Sequence, residues 1–220
     1  FHVAAFEGAV NLAHWEPRPH LHLSRIYRAL GRAEPAQRQQ QHFDRLQALA
    51  QHAKRYQLQV EAYPEDARAH SNLAMAYGEQ GRLDEALDYF RRAIDIDPHY
   101  GRAHYGMATV FYHRNELDQA IYSYQQACRF SPESMESFND LGRAYHRAKQ
   151  YDKAVAVYKK ALTLKPNTAL IYDHIGITYA AQGQLQKAIV AWENTVRLDP
   201  DNSRAADRIR RARQEIKASM

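Results

Sequence analysis

The carboxylates of residues 82–98 are the first group whose types and spacing suggest chemistry. The stretch RLDEALDYFRRAIDIDP holds five Asp or Glu side chains and ends on a proline. Such a cluster could bind a metal or move a proton, or it could be the solvated side of a helix. At about 100° of rotation per residue, Ala86 and Phe90 fall on an apolar stripe and the acids fall opposite. The pattern favours a helix whose acids face water, with Asp88 paired to Arg92 one turn later.

Histidine is the other candidate for metal chemistry. Of the twelve histidines, only His14, His20 and His22 lie close together in sequence, and the spacing of the last two points their rings to different sides of a helix. The single Cys128 excludes an internal disulfide and a multi-cysteine zinc site. The sequence contains no phosphate-binding loop, nucleophile elbow or HExxH motif. We therefore predict no metal, no cofactor and no catalytic site.

Composition and charge bound the classes of partner. The chain is 45% hydrophobic and 25% charged, as ordinary folded proteins are, and no apolar run approaches the roughly 18 residues that a membrane span requires. The excess positive charge lies in 1–64 and 201–220, whereas 65–200 is nearly neutral. This distribution argues against a nucleic-acid-binding surface. Because the chain begins at Phe1, we interpret it as a processed protein or a segment of a longer one.

A 34-residue period organises most of the chain. Prolines recur at this interval, at Pro64, Pro98, Pro132, Pro166 and Pro200. Small residues recur in the same register at Ala74, Ala108, Gly142 and Gly176, and large aromatic residues recur at Phe90, Tyr124, Tyr158 and Trp192. Small residues let two helices approach closely and the aromatic residues fill the space beside them, so the pattern predicts stacked helical hairpins.

This register resembles the tetratricopeptide repeat family, which has the same period and the same order of aromatic, small and proline positions. The leading aromatic position of that pattern holds His70, His104, Phe138 and Tyr172 here. The resemblance implies an all-α fold, a right-handed superhelical solenoid of antiparallel helix pairs. It also implies that the first helix of each pair lines a concave face.

The period divides the chain into regions. We predict four tandem repeats, at 65–98, 99–132, 133–166 and 167–200. Residues 201–220 are predicted to form a polar C-terminal capping helix, with Ala205, Ile209, Ala212 and Ile216 inward and arginines outward.

Residues 1–64 are predicted to be a degenerate N-terminal helical repeat region. Tyr27, Gly31 and Ala36 repeat the spacing that later units show, so a first helix is expected over about 19–30. A long second helix is expected over about 34–63, because apolar residues recur there at steps of three and four without a stop signal.

Nothing interrupts the repetition as an active site would, so the concave face is the predicted binding surface. Its residues lie on the first helix of each repeat, opposite the core, and the candidates are Arg68, Asn72, Met75, Arg102, Tyr105, Thr109, Tyr112, Asn139, Arg143, His146, Arg147, Asp173 and Ile177. Ser71 falls on the same side. Tyr and Arg are typical of binding hot spots, and Arg with His suits an acidic or C-terminal peptide. Asn72 resembles the asparagine with which many family members hold a peptide backbone.

Three functional hypotheses follow. The first is a non-catalytic protein–protein interaction scaffold that binds a protein or peptide segment, with an acidic one suiting the groove, as part of a larger chain or complex. The second is a structural subunit that self-assembles into a homo-oligomer through its edges or ends, using the long helix and an exposed segment at 1–15. The third is a regulatory or targeting module of an enzyme that lies outside these residues.

Overall fold

The structure is a computed structural model that describes residues 2–12 and 15–218. These residues are all-helical, with twelve α-helices and no strand among them. They divide into two compact units, Phe1–Gly106 and Met107–Met220.

The first unit is built from hairpins of consecutive helices. Its helices are α1 (His2–Leu12), α2 (Pro17–Ala29), α3 (Ala33–Ala62), α4 (Ala67–Glu79), α5 (Leu83–Ile96) and the beginning of α6 (Gly101–His113). Each of α1 to α4 packs on the helix that follows it. The helix α3 is a single element of 30 residues.

The turns of this unit share one geometry. Gly31 and Gly81 both have positive φ, at 69° and 79°, which glycine adopts without the steric cost of a Cβ. In the first turn the Arg32 amide donates to the Tyr27 carbonyl, and the corresponding bond after α4 runs from Arg82 to Tyr77. These bonds close the helix ends and reverse the chain.

Residues 82–98 contain α5, and its acids lie on the solvent side. Ala86 and Phe90 are buried, whereas Asp84 and Asp88 are exposed. The expected partner of Asp88 was wrong: its carboxylate pairs with Arg91 at 3.1 Å, and Arg92 lies over the Tyr89 ring instead. The three-residue step brings Arg91 beside Asp88 as readily as a four-residue step would.

The N-terminal histidines contact neighbouring side chains. His20 is buried, donates to the Gln39 amide oxygen at 2.7 Å and stacks on His42, while His22 stacks on Phe6. His14 lies outside the described residues. No three His, Cys, Asp or Glu side chains in the described ranges are grouped as a metal site.

The second unit continues the same architecture. Its helices are the end of α6, then α7 (Leu117–Phe130), α8 (Met135–Arg147), α9 (Tyr151–Leu164), α10 (Ala169–Ala181), α11 (Leu185–Leu198) and α12 (Ser203–Ala218). From α7 onward, α8, α9, α10, α11 and α12 each pack on the preceding helix. Among residues 2–12 and 15–218, no helix has the length and apolarity needed to cross a membrane.

Small residues and rings interlock between the paired helices of this unit. A Cβ added to Gly142 would overlap the Tyr158 ring, and one added to Gly176 would overlap the Trp192 indole. Both rings are almost fully buried. The small and aromatic positions of the period are therefore contact partners, one on each helix of a hairpin.

The last helix covers the final hairpin. Ile209 and Ala212 of α12 pack against Trp192 and Ala188 of α11. The expectation that the arginines of this helix turn outward was wrong at Arg208, which is half-buried, whereas Arg213 is exposed and still pairs with a neighbouring helix. Arg208 binds Asp173 on α10 at 2.5 Å, and Arg213 binds Glu193 on α11 at 2.7 Å.

Candidate functional site

The predicted binding residues of the first unit surround a cleft beside the long helix. Arg68 and Asn72 of α4 line a cavity of about 550 Å³ whose other wall is α3. That wall is formed by Arg55, Tyr56 and Gln59, with Tyr63 directly after the helix. Arg68 is exposed and lies 3.7 Å from Asp66, the N-cap of α4.

The other predicted binding residues of this unit lie outside this cleft. Met75 and Tyr105 are half-buried and Arg102 is exposed, and none of the three lines the α3–α4 cavity. The placement of Ser71 on the binding side was wrong, because the residue is fully buried. A small side chain at the border of the apolar stripe can either face solvent or pack between the two helices of the hairpin. Helical periodicity alone does not distinguish these two positions.

The second unit brings five predicted residues into one cavity of about 440 Å³. We call this cavity the arginine–tyrosine pocket, and it is lined by Tyr112, Arg143, His146, Arg147 and Ile177 together with Lys149, Tyr151, Tyr158 and His174. Three of these side chains are Arg or Lys, and none is Asp or Glu. The lining is therefore cationic and aromatic.

Two arginines of the pocket pack over the ring of Tyr112 of α6. The guanidinium carbons of Arg143 and Arg147, both on α8, lie 5.3 Å and 5.0 Å from the centre of its ring. Arg147 also donates a hydrogen bond to the Tyr112 carbonyl at 3.1 Å. The negative face of the ring attracts both cations, so two like charges are held close together.

A series of hydrogen bonds through Asp140, Asn139 and His174 orients the Arg143 side chain. Arg143 donates to the Asp140 carboxylate at 2.9 Å, and the Asn139 amide nitrogen donates to the same oxygen at 3.0 Å. The Asn139 carbonyl oxygen accepts from Nδ1 of His174 at 2.9 Å. Burial is the largest single influence and acts to lower the pKa of the Arg143 guanidinium. The hydrogen bond to Asp140 and the charge of that carboxylate, together with Tyr112 and Tyr124, outweigh burial, so the pKa is raised.

His146 is held in one tautomer. The Thr178 hydroxyl donates its hydrogen to the His174 carbonyl at 2.7 Å, so it accepts from Nδ1 of His146 at 3.0 Å. When the ring is neutral, Nε2 of His146 then carries a lone pair. Burial lowers the pKa of His146, and burial together with the charge of Arg143 lowers the pKa of His174.

Three predicted residues serve internal contacts of the second unit. The Thr109 hydroxyl lies 3.2 Å from the buried Tyr124 hydroxyl, and Asn139 binds His174 as described above. Asp173 pairs with Arg208 of the capping helix. These residues lie outside the lining of the arginine–tyrosine pocket.

The sequence predicts no binding role for Lys149, Tyr151 and Tyr158. It predicts Tyr158 as a core residue, and Tyr158 is almost fully buried, with only part of its ring at the pocket. Lys149 occupies the turn position that Gly81 and Gly183 occupy in other repeats, and it has a φ of 59°. A lysine at a position that favours glycine was the one signal that could have marked it.

Family models match the repeated part of the chain. A tetratricopeptide repeat model matches residues 67–100, and a TPR repeat model matches 108–149 and 142–183. Together they cover half of the 220 residues. The chain belongs to the tetratricopeptide repeat family. No curated protein sequence is significantly similar to it.

Solved structures of TPR proteins share its fold. The crystal structure of MamA aligns with a TM-score of 0.63 at 19% identity, covering 83% of this chain and 97% of MamA. YrrB, described as a TPR protein with an unusual peptide-binding site, aligns with a TM-score of 0.63 at 18% identity, covering 92% and 96%. Cut9–Hcn1, a hetero-tetramer of the APC/C, gives 0.60 and 16%, covering 96% of this chain and 38% of that one.

Membership assigns a general role. TPR proteins bind protein or peptide partners and are generally non-catalytic. The fold of this chain is thus that of a protein–protein interaction scaffold.

Proposed function

We propose that this TPR protein is a non-catalytic scaffold that binds an acidic segment of a protein partner in the arginine–tyrosine pocket. The observation that carries the proposal is the composition of that pocket, which has three cationic side chains and no carboxylate among its lining residues. A carboxylate of the partner would meet Arg147 and Lys149, while an aromatic or aliphatic neighbour would pack on Tyr151 and Ile177. Charge-assisted hydrogen bonds to arginine are stronger than neutral ones and favour a carboxylate over an amide.

Two further features support a binding role. Arg143 is exposed at 44% of its side chain although Asp140 fixes its orientation, so it keeps donors for a ligand without needing to be ordered by it. Lys149 holds a left-handed backbone conformation that disfavours any residue with a Cβ. Strain of this kind is commonly retained where the side chain is needed for function.

A binding titration with a defined probe tests the proposal. The probe is a fluorescein-labelled peptide with alternating Glu and Phe, and its control has Gln in place of Glu. We expect the Glu peptide to bind the wild-type chain, and we expect Arg147→Gln with Lys149→Gln to weaken binding about tenfold, or about 1.4 kcal/mol. Arg129→Gln, an exposed arginine outside the pocket, is the matched control and should leave the affinity unchanged. Equal affinity of the two peptides for the wild-type chain would contradict the proposal.

A further inference from the structure

A second groove lies in the same unit, between α9 and α11. Its floor is Tyr172, Ile175 and Tyr179 of α10, and Leu162 and Val190 line its sides within a volume of about 410 Å³. Val190 is 58% exposed, so its apolar side chain is accessible at the edge of the groove. None of the residues of this groove lines the arginine–tyrosine pocket.

The preceding repeat has a side-chain bridge at the position equivalent to this groove, and this repeat lacks it. In the preceding repeat, Gln125 donates to the Tyr145 hydroxyl at 2.7 Å and bridges α7 to α8. The residues 34 positions later are Lys159 and Tyr179, and the Tyr179 hydroxyl makes no hydrogen bond within the described ranges. The same step replaces Ala156 by Val190, which adds apolar surface at the mouth.

The rim of the groove carries positive charge. Lys159 and Lys187 flank the apolar floor, and no Asp or Glu is among the lining residues. Lys187 bonds Gln184 at 2.8 Å and has its ammonium 5.6 Å from the Tyr179 ring centre, so its charge stays at the groove. An occupant that covers the floor gains most if its own flanks are acidic.

The shape of the groove fits a helix. Tyr172, Ile175 and Tyr179 are spaced three and four residues apart on α10 and form a stripe of about 10 Å, or two helical turns. A groove between two helices with an apolar floor can accept the apolar face of a third helix. The matching stripe on a partner has apolar residues at i, i+4 and i+7.

We infer that the α9–α11 groove is a second docking site, and that its occupant is an amphipathic helix of a partner protein whose apolar stripe is bordered by Asp or Glu. The amphipathic helices of this chain that could occupy the groove either already contact other helices or carry positive rather than negative charge. Phe6 and Glu7 of α1 contact His22 and Tyr27 of α2, and the solvent side of α12 is rich in arginine.

Two designed peptides provide the probe. Each is a fluorescein-labelled helix of about 14 residues on an alanine background with leucine at i, i+4, i+7 and i+11, and the leucines are bordered by Glu in one peptide and by Lys in the other. Fluorescence anisotropy should show the Glu peptide binding the intact chain about tenfold more tightly than the Lys peptide. Lys159→Glu should reverse this preference.

Matched substitutions locate the binding. Val190→Asp should weaken the Glu peptide about tenfold, whereas Ala156→Asp, at the exposed equivalent position of the preceding repeat, should leave binding within about twofold. Helical content and thermal midpoints of both variants check that each is folded. Arg147→Glu should not affect the helical peptide, which separates this groove from the arginine–tyrosine pocket.

Three results would overturn the inference. The first is equal binding of the two peptides to the wild-type chain, and the second is an equal response to Val190→Asp and Ala156→Asp. The third is a dimer of the chain alone in sedimentation velocity that Val190→Asp dissociates, since the occupant would then be a second copy.

Discussion

At the scale of single residues, Lys149 is the clearest compromise between stability and binding. Its φ of 59° lies in the left-handed region, at the turn where Gly81 and Gly183 are found in other repeats. A residue with a Cβ costs about 1–2 kcal/mol in this conformation. Its side chain meanwhile contributes one of the three cations of the arginine–tyrosine pocket.

Lys149→Gly should therefore stabilise the chain and weaken its ligand. We expect the free energy of unfolding in urea to rise by about 1 kcal/mol, and the affinity for the Glu–Phe peptide to fall a few-fold. Gly183→Lys is the reciprocal control, and it should lower the free energy of unfolding because Gly183 has a φ of 73°. A destabilised Lys149→Gly variant would show that the lysine side chain, and not the backbone conformation, decides stability at this turn.

The two pocket histidines make stability depend on pH. Burial lowers the pKa values of His146 and His174 below the ordinary value of 6.5, so the unfolded chain binds protons at a higher pH than the folded chain does. Stability is then complete above pH 6.5 and is lost as pH falls from there through the lowered pKa values. We expect His146→Gln to flatten the slope of unfolding free energy against pH in this window, with His113→Gln, an exposed histidine, as control. An unchanged slope in His146→Gln would contradict this assignment.

Three of the predicted binding residues also make internal contacts that the sequence did not predict, and these share one physical cause. Thr109, Asn139 and Asp173 face the predicted side of their helices, but each bonds a specific partner that only the folded chain brings near: Tyr124, His174 and Arg208. Periodicity predicts which side of a helix a residue occupies. It does not predict which side chains 15 to 35 residues away will satisfy a hydroxyl, an amide or a carboxylate.

At the scale of the elements, the helical hairpin was predictable because several independent signals agree on it. Helices begin at residues 67, 101, 135, 169 and 203, which are 34 apart, and their partners begin at 83, 117, 151 and 185. Side chains of Asp66, Ser134 and Asn202 cap three of these helices, each from the position just before the helix begins. Local capping, small-residue contacts and the apolar stripe thus all specify the same boundaries.

The small positions of the hairpin set the distance between its helices. Gly142→Ala should lower the free energy of unfolding by about 1–3 kcal/mol, because its Cβ would overlap the Tyr158 ring. Gly78→Ala is the matched helical control, since its Cβ would meet only Ala86 at 4.0 Å. It should stabilise the chain by about 0.5–1 kcal/mol in the same urea titration. Similar losses for both variants would mean that helix spacing is not what Gly142 determines.

The 34-residue period does not predict the contacts of the N-terminal region that precedes the regular repeats. The self-assembly hypothesis assumed an exposed segment at 1–15, but Phe6 stacks on His22 and Glu7 accepts a hydrogen bond from Tyr27. Phe1, Ala13 and His14 of that segment lie outside the described residues. The cleft between α3 and α4 was also not predictable, since it depends on the pairing of a 30-residue helix with a regular repeat.

At the scale of the whole molecule, each helix is stabilised mainly by packing on its neighbours in the chain. In the second unit, α12 buries the last hairpin through Ile209 and Ala212, and its Arg208 and Arg213 bind α10 and α11. Repeat proteins of this kind are stabilised by their intrinsic units and by the interfaces between adjacent units. A substitution that destabilises α12 should therefore destabilise the adjacent helices most and more distant helices less.

Ala212→Asp tests this coupling. A carboxylate buried without a partner at α12 should cost about 3–5 kcal/mol, whereas Ala206→Asp on the exposed side of the same helix should cost little. Hydrogen exchange measured by mass spectrometry should show loss of protection that is greatest in α10, α11 and α12 and smaller in α8. Uniform loss over α7 to α12 would instead indicate a single all-or-none core.

The central claim, that the arginine–tyrosine pocket binds an acidic segment, is tested most directly by a charge exchange. The affinities of a Glu–Phe peptide and of its Lys–Phe counterpart are measured by fluorescence anisotropy for the wild-type chain and for Arg147→Glu with Lys149→Glu. We predict that the wild-type chain prefers the Glu peptide and that the variant prefers the Lys peptide, each by about tenfold. A variant that keeps the preference of the wild-type chain for the Glu peptide would contradict the claim.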